Sequence, residues 1–494
     1  MNIKRAKEEI KNSIDAYLSK NEYGEYRIPT NQQRPLLLIG PPGIGKTQIM
    51  EQIAREKKIG LVSYTITHHT RQSAIGLPFI REKRFGGQTY SVTEYTMSEI
   101  IASVYEKIEE TGIKEGILFI DEINCVSETL APAMLQFLQC KMFGNRKIPE
   151  GWIIAAAGNP PEYNKSVREF DVATLDRIKK IEVEADFAVW KEYAYGVGVH
   201  SAILSYLELK KENFYKVETT VDGRLFATAR GWEDLSRLLE TYEMLGKTMD
   251  REVVVQYIQH WKVAKDFANY LELYNKYKKD YQVQEILLGN IGEPALDRVR
   301  RASFDEKLSV TSLLLSAMHE RFRKMWCTDA IVTGLFEEVK KYGMLELPEI
   351  IWQYAELLEK LRRAEQLTKD EEHIRMEILH KLEQYELKAK EMQVDGEKML
   401  SWLKGRFAEE VSAMEEGMRQ TDTALNYVFD FMEQAFGDSQ EMVIFITELN
   451  TDYYAVWFID TNGCDRFYQY NKSLLFSERQ KGIMQELQQI EEML

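Results

Sequence analysis

Cysteine is scarce in this chain: four residues among 494, Cys125, Cys140, Cys327 and Cys464, with no two in a CxxC spacing. That spacing excludes a zinc ribbon and a dithiol redox motif, and scattered thiols suit a reducing compartment. Proline numbers only 11, which argues against long disordered linkers. No run of about 18 apolar residues occurs, so no transmembrane helix is expected. The opening residues MNIKRAKEEIKNSIDAYL place Ile3, Ala6, Ile10, Ile14 and Leu18 on one helical stripe interrupted by charges. They predict an amphipathic helix and not a signal peptide, so the expected location is cytoplasmic. Basic charge is also in deficit. The formal net charge is -15, which disfavours general nucleic-acid binding, since phosphate contacts need clustered Lys and Arg.

What remains is ordinary for a folded protein, 44% apolar and 29% charged, at a length that calls for more than one core. In the first half, short apolar runs alternate with helix-compatible stretches. Residues 36–39 (LLLI), 61–66 (LVSYTI), 117–120 (ILFI) and 153–157 (IIAAA) read as buried strands, and 178–183 (IKKIEV) as a fifth. Uninterrupted apolar strands separated by helices predict a parallel sheet covered on both faces. The Gly86–Gly87 pair between two extended stretches predicts a small hairpin carrying Arg81, Lys83 and Arg84.

From about residue 187 the pattern turns helical. A charge-dense segment carries apolar residues at spacings of three and four, Ile374, Ile378, Leu382 and Leu387 among them, and predicts a packed or coiled-coil-like arm. Near the end, MVIFITEL and YYAVWFID read as strands joined at Asn450-Thr451-Asp452, with DRFYQYN as a third strand and a closing helix. The expected fold class is thus α/β: a P-loop core with a parallel sheet flanked by helices, a helical lid, and a mostly helical C-terminal region ending in a small β-meander. The expected segments are a core over 1–185, a lid over 186–285, a helical arm over 286–436 and a small α+β module over 437–494.

One motif carries the chemistry. Gly40-Pro41-Pro42-Gly43-Ile44-Gly45-Lys46-Thr47 fits GxxxxGK[ST], follows a strand directly and precedes a helix-compatible run. Glycines let backbone N–H groups approach phosphate oxygens without a Cβ clash, and the helix N-terminus adds partial positive charge. Lys46 would reach the β- and γ-phosphates, and Thr47 would ligate Mg2+. About 75 residues after Lys46, ILFI ends in Asp121 and Glu122. Asp121 would hold the metal and Glu122 would deprotonate the attacking water. Asn159 closes the next apolar strand, where it would hydrogen-bond that water or the γ-phosphate. His68 and His69 lack a partner at ligand spacing, and Thr67 would be a polar switch for Glu122.

The ordered set GPPGIGKT, ILFIDE, AAGN, LDRI and TARGW, with IGLP, FLQCKMFGNRKIPEGW and AAGNPPEYN, resembles the MoxR-like branch of AAA+ ATPases over about residues 25–280. The resemblance implies ATP with Mg2+, hydrolysis, and assembly into a ring, usually a hexamer, with nucleotide between neighbours. It also implies Arg177 as the arginine finger, with Arg168 competing for that role, and Arg230 as the second sensor on the lid. Ala229 stands where the family often has proline. It further implies a chaperone-like action on a protein client with a partner bearing a von Willebrand factor A domain. No DxSxS pattern occurs here, so that partner would be a separate chain. The alternative reading is a defence-associated or nucleic-acid-acting P-loop motor. Its GTP-preferring form needs an NKxD-like motif, and Asn164-Lys165-Ser166-Val167 lacks the aspartate.

Overall fold

The computed structural model describes the chain except residues 67–70, 144–145, 164–166, 168–169, 222, 395, 473 and 475–494. It divides into two compact units. The first comprises Met1–Val189 with Thr228–Arg230 and Glu356–Thr368, and the second comprises the rest.

The first unit is built on a five-stranded sheet. Its strands are β1 (Leu36–Ile39), β2 (Gly60–Thr65), β3 (Gly116–Asp121), β4 (Trp152–Gly158) and β5 (Lys179–Glu182). Their spatial order is β2-β3-β4-β1-β5, and every pair is parallel. Alternate residues point to opposite faces, and both faces are covered, so each strand is apolar without interruption. Leu36 and Leu38 of β1, with Ile117, Phe119, Ile153 and Ala155, pack against two helices on one side. These are α1 (Ile3–Leu18), through Ala6, Ile10 and Ile14, and α2 (Lys46–Lys57), through Ile49, Met50 and Ile53. Leu37, Leu118, Ile120, Ile154 and Ala156 pack on the other side with Ile100, Ile101 and Val104 of helix Glu99–Thr111 and with Met134, Phe137 and Leu138 of helix Ala131–Cys140. Each buried Leu, Ile, Val, Phe or Met side chain among these contributes about 1.5–3 kcal/mol of burial free energy. The five strands match the five apolar runs to within a residue or two.

Register positions the site. Ile39 of β1 pairs with Gly158 of β4, and Ile120 of β3 pairs with Ala156 of β4. The three strands therefore end side by side, and the segments that follow them meet at one edge of the sheet. Pro78–Phe85 and Gln88–Tyr95 form the antiparallel hairpin that the Gly86–Gly87 pair predicts. Both glycines have positive φ, 57° and 86°, as a two-residue turn between twisted strands needs. Arg81 and Lys83 of this hairpin both pair with Glu94 on the opposite strand.

In the second unit the long helix Phe304–Val339 packs along Lys369–Glu391 and Glu397–Ala435. Ile374, Ile378, Leu382 and Tyr385 are buried there with Leu335 and Leu403, whereas Leu387 is exposed. Within 186–285, otherwise helical, a short hairpin pairs Lys216–Thr220 with Gly223–Ala227.

The expected C-terminal β-meander is not formed. MVIFITEL lies in helix Gln440–Thr451, YYAVWFID in helix Tyr453–Asn462, and residues 465–472 are helical too. The reason is in the spacing. Met442, Phe445, Ile446 and Leu449 recur at three and four residues and are all buried, as are Tyr454, Ala455, Phe458 and Ile459. Asn450 and Thr451 end the first helix, and Asp452 alone separates it from the second, its side chain accepting from the Tyr454 N–H as an N-cap. The β-branched and aromatic content pointed to strands, and tertiary packing of a helical stripe overrode it.

The candidate nucleotide site

The loop 40–45 leaves β1 and enters α2 at Lys46. Gly43 and Gly45 have φ of 76° and 91°, a region that costs a residue with a Cβ about 1–2 kcal/mol. Gly40 donates its N–H to the Gly158 carbonyl at 3.3 Å, which ties the loop to the end of β4. A Cβ on Gly40 would lie 2.5 Å from the Val183 carbonyl. Gly45 caps α2 without a side-chain hydrogen bond, so the first-turn N–H groups of a 12-residue helix stay available to an anion.

Lys46 is buried, 7% exposed. Its ammonium donates to the carbonyls of Gly40 (2.8 Å) and Pro41 (2.7 Å) and to Asn159 Oδ1 (3.0 Å). Burial pushes its pKa down to about 8; Asp121 and Glu122 oppose that shift, and the positive charge of Arg230 adds to it. Thr47 Oγ1 donates to Asp121 Oδ2 at 2.8 Å, and the Glu122 N–H donates to Asp121 Oδ1 at 2.9 Å. The Asp121 carboxylate is thereby held by both oxygens. A hydroxyl and a carboxylate oxygen in contact form a hard-oxygen donor pair. Such a pair fits Mg2+, which takes one or two protein ligands and keeps waters and phosphate oxygens for the rest.

Glu122 follows in the left-handed region, at φ 56° and ψ 33°, and opens the short 3-10 turn Ile123–Cys125. Asn159 comes directly after β4. Arg230 is the second residue of helix Ala229–Met244, and its N–H donates to the Gly43 carbonyl at 3.2 Å. Lys46, Thr47, Asp121, Glu122, Asn159 and Arg230 thus gather around one loop. Arg177 does not join them. It is exposed beyond the short helix Val172–Leu175, and its guanidinium donates to Gln139 Oε1 at 2.5 Å. Arg168, Thr67, His68, His69 and the Asn164–Ser166 stretch lie outside the described residues.

Two further residues shape this edge. Asn124 Nδ2 donates to the Asn159 carbonyl at 2.8 Å, and Gln139 holds Arg177. An amide two residues past a carboxylate pair, or one inside a helix, carries no sequence signal of its own. Only the positions of Asn159 and Arg177 give them meaning.

The family model described as "ATPase family associated with various cellular activities (AAA)" matches residues 36–178, from β1 to just before β5. No curated protein matches the chain. Among solved structures, one similar chain is a Cytophaga hutchinsonii protein inferred to be an ATPase. It is 16% identical over 37% of this chain, with a TM-score of 0.22. The match spans about half of that protein's length, 51%. The matched segment holds the loop, the carboxylate pair and Asn159 on three adjacent strand ends. Residues 36–178 form an AAA ATPase domain, with its P-loop at Gly40–Thr47.

Proposed function

We propose that this protein is a MoxR-like AAA+ ATPase that spends each ATP on conformational work on a protein client. Lys46 and the loop amides hold the β- and γ-phosphates. Thr47 and Asp121 hold Mg2+, which supplies electrophilic stabilisation of phosphate charge when bound. Glu122 accepts the proton of the attacking water, and Asn159 orients that water or the γ-phosphate. Arg230 contacts the γ-phosphate in the same subunit. Arg177 reaches the nucleotide of a neighbour in a ring, a hexamer by resemblance to the family. Its exposure, away from the Lys46 cluster, supports a role in trans. A separate chain with a von Willebrand factor A domain presents the client, which the helical second unit selects.

The observation that carries the reading is the pair of bonds Lys46 Nζ to Asn159 Oδ1 and Thr47 Oγ1 to Asp121 Oδ2. They bring residues from three strand ends to one point, where a terminal phosphate fits. The test is steady-state hydrolysis by purified Lys46→Ala and Glu122→Gln proteins. Lys46→Ala is expected to lose nucleotide binding. Glu122→Gln is expected to bind ATP and hydrolyse it at least about a hundredfold more slowly. Undiminished hydrolysis by either variant refutes the mechanism. For the client, co-purification of a von Willebrand factor A protein with the Glu122→Gln trap supports the proposed partnership.

A further inference from the structure

Asn124 is only 5% exposed and stands two residues after Glu122. Its Nδ2 crosses to the neighbouring strand end and donates to the Asn159 carbonyl at 2.8 Å. The backbone ladder between β3 and β4 stops at Ile120 and Ala156. Beyond that pair, the Asn124 side chain continues the connection. The space for it is made by Gly158, where a Cβ would lie 2.7 Å from Asn124 Cγ and 2.9 Å from Nδ2. Glu122, between the ladder and this bond, sits in the left-handed region, which a residue with a Cβ rarely adopts. Such a conformation persists only where its surroundings over-determine it. The Asp121 carboxylate grips it from one side through the Glu122 N–H, and the turn Ile123–Cys125 holds it from the other.

We propose that Asn124 is a positioning residue for hydrolysis, fixing the distance between Glu122 and Asn159. Glu122 is the last residue before the turn that Asn124 locks, and Asn159 is the residue whose carbonyl Asn124 holds. The side chain of Asn159 accepts from Lys46 at 3.0 Å, so the brace runs from Glu122 through Asn124 and Asn159 to the phosphate-binding lysine. Asn124 makes no hydrogen bond to Lys46 or Thr47 among the described residues, and Lys46 keeps its bonds to the Gly40 and Pro41 carbonyls, so those bonds hold the nucleotide cradle without Asn124. The inference rests on the roles of Glu122 and Asn159 proposed above. A proton acceptor and a water-orienting amide act together only at a set separation, and an error of about 1 Å costs on the order of a hundredfold in rate.

Three variants test it beside Glu122→Gln. Asn124→Ala removes the brace. Asn124→Asp keeps its size and removes its donor. Gly158→Ala crowds it. Each is read by kcat, by the dissociation constant of ATP from direct binding, and by the unfolding midpoint. The expected result is a kcat lowered about tenfold or more in all three, with ATP affinity within about twofold of wild type in the two Asn124 variants. Adding Asn159→Ala to Asn124→Ala is expected to lower kcat little beyond Asn159→Ala alone, because both changes disable one unit. A kcat within twofold of wild type in Asn124→Ala and Asn124→Asp overturns the proposal, as does affinity falling in step with kcat, and as do fully additive losses. If Asn124→Ala does not fold, Asn124→Asp decides by the same criteria. Undiminished hydrolysis by Glu122→Gln would instead refute the underlying role of Glu122, so the two failures are told apart.

Discussion

Thr47 Oγ1 donates to Asp121 Oδ2 at 2.8 Å across 74 residues of sequence. The bond joins the first turn of α2 to the end of β3, and both oxygens are ligands that suit a hard cation. Hydrolysis is therefore expected to require Mg2+ and to stop on chelation. Thr47→Ala is expected to raise the Mg2+ concentration for half-maximal rate about tenfold, since one ligand and the orienter of another are lost together. A titration with Mg2+ unchanged in Thr47→Ala would remove this pair from the metal site.

Lys46 yields a pH prediction with a definite sign. Burial holds its pKa down at about 8, and phosphate oxygens would favour the charged form and raise it. ATP binding is then accompanied by proton uptake, small at pH 7 and rising towards one proton as pH passes above 8. Affinity is expected to fall above pH 8, by up to about tenfold per pH unit, as the free lysine loses its proton. Calorimetry in buffers of different ionisation enthalpy measures the uptake directly. Zero uptake at pH 8.5 contradicts the assignment.

Arg177, held by Gln139, is proposed to serve the nucleotide of a neighbouring subunit. Arg177→Ala is expected to bind ATP normally and to hydrolyse it at least about a hundredfold more slowly, because an arginine finger stabilises transition-state charge. Mixing it with Lys46→Ala should restore part of the rate, since one variant keeps the cradle and the other keeps the finger. No recovery in a mixture shown to co-assemble argues against action in trans.

The second unit holds a buried charge cluster. Lys191 pairs with Glu208 at 2.7 Å and also with Glu448, which accepts from Tyr195 as well. Lys191 and Glu448 are both buried, so removing one partner strands the other's charge. Glu448→Ala is expected to cost about 3–5 kcal/mol of stability in this unit, whereas Lys191→Met combined with Glu448→Leu should cost far less. Denaturant unfolding of the three proteins gives the comparison, and a near-neutral Glu448→Ala would contradict the burial of this pair.

The core of the first unit could be read from sequence because its signals are local and redundant. Runs such as ILFI and IIAAA are apolar at every position, which only a strand covered on both faces requires. The glycines of the loop occupy the φ values that its function demands. Arg177 could be read only by resemblance, and its separation from the Lys46 cluster emerges from the coordinates. In 440–462 the valine, isoleucine and aromatic side chains suit strands, while the deciding signal is a spacing of three and four residues around Phe445 and Phe458.

The amino-acid sequence by itself determined the phosphate-binding loop, the carboxylates after β3 and the alternation that builds a parallel sheet. Each depends on residues within a few positions of one another, where conformational preference acts directly. Tertiary structure alone decided that Asn124 meets Asn159, that Gly158 leaves room for it, and that the last apolar runs are helices. Those outcomes depend on strand register and on which face finds a partner, and both are settled by packing between residues far apart in the chain.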